Sequence, residues 1–135
     1  MKVLNAVKGS RWRTALLATV LTGALAGSAF AAVSAMTLDS NAALSPGRLH
    51  ATLTGTVTCT PGTNVYLSGR VVQRDVSGYG STGIACDGSS QRYAIDVSGG
   101  VFRAGRARAD VSTFECTGEF PCTSKYVDAV IRLTR

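Results

Sequence analysis

The chain has 135 residues, with 14 Lys and Arg against 8 Asp and Glu, a formal net charge of +6. Residues 1–31 hold four of the basic residues and none of the acidic ones, so the remainder carries ten against eight, or +2. That near balance removes the warrant for a nucleic-acid or membrane-surface footprint, and residues 32–135 suit one small domain helped by covalent staples.

Lys2, Lys8, Arg11 and Arg13 precede the apolar run TALLATVLTGALAG, and Ala29-Phe30-Ala31 fits the small-residue pattern of a cleavage site. Residues 1–31 are therefore expected to be a secretory signal peptide. The apolar run falls short of the roughly 20 residues that cross a bilayer. With no sorting motif at the C-terminus, the expected location is secreted and extracellular.

Residues 32–47 form an N-terminal segment with a weak first strand around Met36 and Leu38, ahead of Pro46-Gly47. The domain proper spans 48–135. In LHATLTGTVTC, residues 49–59, Leu49, Ala51, Leu53, Gly55, Val57 and Cys59 share one parity, and His50 and four threonines share the other. Successive strand side chains point to opposite faces, so this segment buries one face and presents a threonine ladder on the other. Pro61-Gly62 turns the chain. NVYLSGRVVQR, residues 64–74, sets Val65, Leu67, Gly69 and Val71 against Tyr66, Ser68, Arg70 and Arg74. A Gly- and Ser-rich loop is expected over 75–83, then a short strand carrying Thr82, Ile84 and Cys86. Tyr93, Ile95 and Val97 define the next strand. Ala107, Ala109, Val111 and Thr113 alternate with Arg106, Arg108 and Asp110. Val127, Ala129, Ile131 and Leu133 face inward on the last.

Short strands recurring with turn signals, and no helical periodicity beyond residue 31, predict an all-β fold: an immunoglobulin-like two-sheet sandwich of about seven antiparallel strands. A small closed barrel is the alternative, because periodicity fixes faces and leaves closure open.

Gly78, Gly80 and Gly83 match the G-x-G-x-x-G spacing of a dinucleotide turn. Such a turn must lead into a helix whose N-terminus meets the pyrophosphate, and here another strand and a turn come next. The glycines are expected to serve a mobile or tightly turned connection, and no cofactor is expected.

Four cysteines allow three pairings, and an exported chain should form two disulfides. Cys59 and Cys86 share inward parities, whereas Cys116 falls with outward arginines and Cys122 lies across a short loop. The expected bonds are Cys59–Cys86 and Cys116–Cys122. The spacing gives no C-x-x-C and one histidine, so neither zinc nor redox chemistry is expected.

His50 stands alone on the outward face without a nucleophile-elbow sequence, and Asp75, Asp87, Asp96, Asp110 and Asp128 lie at turns or on outward parities. No catalytic group is predicted. Arg103, Arg106 and Arg108 place positive charge outside the fold, either to bind an acidic partner or an anionic polymer, or simply to discourage edge-to-edge pairing.

GTVTC (55–59), VYLSGRVVQ (65–73) and FRAGRARADV (102–111), with the basic leader, resemble small exported actinobacterial proteins with immunoglobulin-like sandwiches. The chain is also similar to the enediyne apo-chromoproteins in strand count and in a disulfide that closes a short loop before the last strand, although its first cysteine pair is wider. Gln91-Arg92-Tyr93 resembles the Trp-Arg-Tyr loop of secreted α-amylase inhibitors, which implies Arg92 and Tyr93 as contact residues. The functional expectation is a monomeric, non-catalytic binding or cell-envelope module whose partner is an extracellular protein, a cell-wall polymer or a small apolar ligand. A carrier or inhibitor is the alternative, with loops 75–83 and 116–122 as the lips of its site.

Overall fold

A computed structural model describes residues 33–115 and 123–135, and the predicted signal peptide lies outside them. The described chain is all-β. Its strands are β1 (Val33–Met36), β2 (Asn41–Leu44), β3 (His50–Cys59), β4 (Asn64–Gln73), β5 (Val76–Ala85), β6 (Ser90–Ser98), β7 (Gly105–Glu115) and β8 (Thr123–Thr134). The period-two pattern is realised residue by residue. Ala51, Leu53, Val57, Val65, Leu67, Val71, Tyr93, Ile95, Val97, Ala109, Val111, Ile131 and Leu133 fill one core, and their neighbours in sequence face outward.

The N-terminal segment forms two short strands where one was expected. Both lie on the same edge of β3, with Met36 opposite Val57 and Ala43 opposite Thr52. β2 then also pairs in parallel with β8, Ala42 opposite Leu133. β8, β7, β4 and β5 continue as an antiparallel sheet, and β6 pairs along the whole of β3. A single bridge, Tyr79 opposite Ser98, joins β5 to β6. In place of two unconnected sheets, the pairings therefore close a seven-strand ring, β3-β2-β8-β7-β4-β5-β6. Closure was the alternative that periodicity left open.

The glycine-rich stretch is a second departure from expectation. Residues 76–85 are a full strand paired with β4 from Gln73–Val76 to Asn64–Ala85, not a loop, and Arg74 sits in the hairpin turn beyond β4. Gly78 and Gly80 lie where β5 presses on β6. A Cβ at Gly80 would fall on the Asp96 carbonyl oxygen, and one at Gly78 would stand 2.8 Å from both the Phe102 ring and the Ser98 carbonyl oxygen. The glycines are there for close backbone approach, one of the uses of glycine inside a strand.

Cys59 and Cys86 are bonded, with Cα atoms 5.6 Å apart, as parity predicted. The disulfide ties the end of β3 to the residue after β5, and it is compatible with an oxidising compartment. Cys116 and Cys122 lie outside the described residues. No helix among the described residues is long and apolar enough to cross a membrane.

Candidate functional site

Arg92 and Tyr93 part company. Tyr93 is only 2% exposed, and its hydroxyl donates to the Thr37 carbonyl oxygen at 2.6 Å. Burial, helped by the nearby Asp39 charge, pushes its phenol up to about 12. It anchors the N-terminal segment across β6 and β3. Arg92 points outward and donates to Asp39 Oδ2 at 2.8 Å, while Thr54 Oγ1 donates to the same oxygen at the same distance. Arg92 first, and Thr54 second, hold the Asp39 carboxyl below its ordinary value. The threonine ladder thus has work beyond β propensity: Thr52 bonds Asp96, Thr54 bonds Asp39 and Thr56 bonds Thr37. His50 is exposed at the start of β3, opposite Ser98.

The outer face of the β5-β4-β7-β8 sheet carries the features that sequence reasoning missed. Seven large apolar side chains of the described chain are more than half exposed, and five of them, Tyr66, Tyr79, Phe114, Tyr126 and Val130, share this face. Register explains their grouping. Tyr66 on β4 lies opposite Phe114 on β7, and Tyr126 on β8, opposite Ser112, is a diagonal neighbour of Phe114. Gly83, opposite Tyr66, leaves room beside that ring. The signal was available in the sequence as aromatic residues standing at outward parity.

Below this aromatic end runs a charged row. Tyr79, Arg70, Asp110 and Asp128 lie side by side on β5, β4, β7 and β8. Arg70 Nε donates to Asp110 Oδ2 at 2.8 Å, and Arg108 Nη2 to Asp128 Oδ2 at 3.2 Å. Asp110, and less strongly Tyr79, raise the Arg70 guanidinium above its usual value. The two facing carboxylates thus each have their own arginine.

Beyond that row the face becomes cationic. A cleft of about 670 Å³ between the β4–β5 turn and the 101–106 segment is lined by Arg74, Asp75, Val101, Arg103 and Arg106. Two shallower depressions continue from it, one past Val72, Arg108 and Val130, the other past Ser40, Val130 and Arg132, and Arg106 lines all three. The Gln73 amide holds the cleft wall: it donates to the carbonyl oxygens of Arg103 (2.8 Å) and Arg106 (3.2 Å) and accepts from the Arg103 N–H at 2.8 Å. Buried Phe102 pins the same segment, its N–H donating to the Arg48 carbonyl oxygen.

No protein-family model matches the chain, and no curated protein matches its sequence. The functional reading therefore rests on the chemistry of the site itself.

Of the five residues predicted to bind, the structure brings Arg103, Arg106 and Arg108 to one continuous surface. Arg92 lies apart on the β3–β6 side, and Tyr93 lies in the core. The described part of β7 leads into residues 116–122, whose expected role as a lip lies outside the described residues.

Proposed function

We propose that this protein is a secreted, non-catalytic binding module that uses the outer face of β5-β4-β7-β8. The observation that carries the reading is the cluster of exposed Tyr66, Phe114 and Tyr126 at one end of this face, with Tyr79 beside the charged row next to it. Large exposed apolar groups scattered singly need no explanation, whereas a contiguous set marks an interaction surface. Aromatic residues and arginine together are the side chains that interfaces favour. The carboxylates Asp39, Asp110 and Asp128 are each paired with an arginine, and Asp96 and Asp87 accept from Thr52 and Ser89, which supports binding over catalysis.

The expected immunoglobulin-like sandwich remains the reading of the ring's shape. Its support is that β5 and β6 share one bridge and that β2 alone links β3 to β8, so two layers meet at two narrow seams. The signal peptide and export belong to the same proposal, as does the likeness to exported actinobacterial sandwiches. The carrier alternative draws less support, because Leu53, Leu67, Val71, Ile95, Phe102 and Val111 fill the space between the layers.

The test is cosedimentation of the purified exported chain with washed envelope polymer from the producing cells. Retention of the wild type, lost in Tyr66→Ala/Phe114→Ala, is the expected result. Equal retention of both, or of neither, would refute this use of the face, and a native mass excess lost on denaturation would favour a carrier.

A further inference from the structure

We infer that the groove running through Arg74, Arg103, Arg106 and Arg132 is a binding site for an acidic polysaccharide. This deepens the reading of the same sheet face and rests on it.

Three observations lead there. First, among the described residues only Arg70, Arg92 and Arg108 have a carboxylate within 4.0 Å, so the four groove arginines make no ion pair there, and Asp75 is the one carboxylate that lines their cleft. Second, Arg106 and Arg132 are directly opposite across β7 and β8. Like charges at that position work against the ladder, and an anion between them turns the repulsion into two attractions. Third, Arg74 takes a left-handed φ of 57° at the tip of a two-residue hairpin turn, where Asn or Gly carries least strain. The chain thus accepts two local penalties that both deliver a guanidinium to one groove. Backbone strain at such a point is a reason to look for a ligand, and here the charge arrangement supplies its sign.

The groove's form selects the class of ligand. Its three depressions share Arg106, and neighbouring ones share Arg74 or Val130 as well, a row that suits a linear chain rather than a single ion. Between the arginines lie Val72, Val101 and Val130, two of them more than half exposed. Widely spaced anions with apolar ring faces between them, the pattern of an acidic glycan, match that alternation. A nucleic-acid duplex, with a charge every ~1.7 Å along its axis, calls for a broader cationic field than one groove beside Asp75 and Asp128. Planar carboxylate and sulfate both accept two parallel bonds from arginine, so the groove admits either substituent.

The test is thermal unfolding and calorimetric titration of the exported, disulfide-bonded chain at low salt. The probes are polygalacturonate oligomers for carboxylate, heparin oligosaccharides for sulfate, neutral dextran, and a DNA duplex. One acidic glycan or both should bind and raise Tm, and the effect should fade with added salt. Arg74→Asn/Arg106→Thr should unfold at higher temperature than wild type without ligand, yet bind the glycan at least about tenfold more weakly. Lys125→Glu, near the start of β8 and away from the groove, and Tyr66→Ala/Phe114→Ala should bind as wild type. That last variant separates this inference from the aromatic-face reading, since it should lose envelope retention while keeping glycan binding. The inference is overturned if neither glycan binds, if the double arginine variant binds unchanged, or if DNA binds as tightly through the same arginines.

Discussion

Alanine substitutions at Gly80 and Gly83, three residues apart on β5, should have opposite effects. At Gly80 a Cβ would fall on the Asp96 carbonyl oxygen and stand 3.1 Å from Ile95 Cγ2. Neither neighbour can give way easily, because β6 is paired along its whole length with β3 and Ile95 is fully buried. β5 would have to lift from β6, loosening the Tyr79–Ser98 bridge that closes the ring. Overpacking of this kind costs about 2 kcal/mol, which in a domain of this size lowers Tm by about 10 °C. At Gly83 the nearest atom is Tyr66 Cε1 at 3.5 Å, an ordinary contact. Replacing a strand glycine there should stabilise by about 0.5 kcal/mol through the unfolded chain's lost freedom. Thermal and urea unfolding followed by circular dichroism would measure both. Equal shifts for the two variants would mean that β5 is not pressed on β6 and that the stretch is the mobile connection its composition suggests.

Tyr93→Phe should cost about 1–3 kcal/mol in urea unfolding, because the Thr37 carbonyl oxygen loses its donor, whereas Arg92→Ala, breaking an exposed ion pair, should cost under about 1 kcal/mol. Replacing Cys59 and Cys86 together by Ala should remove about 3.5 kcal/mol by the loop-closure argument, seen as a lower urea midpoint with a slope at least as steep, because the released unfolded chain exposes more surface. Asp39 titrates below its unfolded value, so its contribution is complete above about pH 4 and is lost as pH falls through its folded value; Asp39→Asn should lower Tm at pH 7 and match wild type in strong acid. Glu115 has the opposite sign: burial, with no partner for either oxygen among the described residues, raises its folded value, so its cost is present at neutral pH and disappears in acid. Glu115→Met should therefore raise Tm at pH 7 and lose that gain on acidification.

The core was legible because burial imposes period two on every long strand. Leu53, Val65, Ile95 and Val111 follow from parity alone, and the Cys59–Cys86 bond follows from shared inward parity. The path of β5 was not legible. Its inward parity runs Val76, Gly78, Gly80, Thr82, Ile84, and with two glycines and a threonine between the apolar ends it carries no continuous hydrophobic period to read. Ring closure was hidden for a related reason, since it depends on one bridge and on β2 serving two neighbours, neither of which leaves a pattern. At the site, the arginines were visible as outward charge. Their grouping with Val130 and Val101, and the aromatic cluster above them, depend on register between strands far apart in sequence, which parity within one strand does not encode.

That register also bears on the two readings of the strand arginines. Positive charge that discourages edge-to-edge pairing belongs on an edge strand, and Arg106 and Arg108 stand on β7, which is flanked on both sides by β4 and β8. Charge kept only for solubility would gain from being spread and balanced, as Arg70 with Asp110 and Arg108 with Asp128 are in the middle of the face. The arginines around the groove are instead concentrated, opposed to one another at Arg106 and Arg132, and held in place by the Gln73 amide from behind. A neutralised row separates them from the aromatic end, so each end keeps its own character. A partner that touches both must offer anionic groups at one end and apolar surface at the other, and the two pairs of variants, Arg74 with Arg106 and Tyr66 with Phe114, weigh those ends independently.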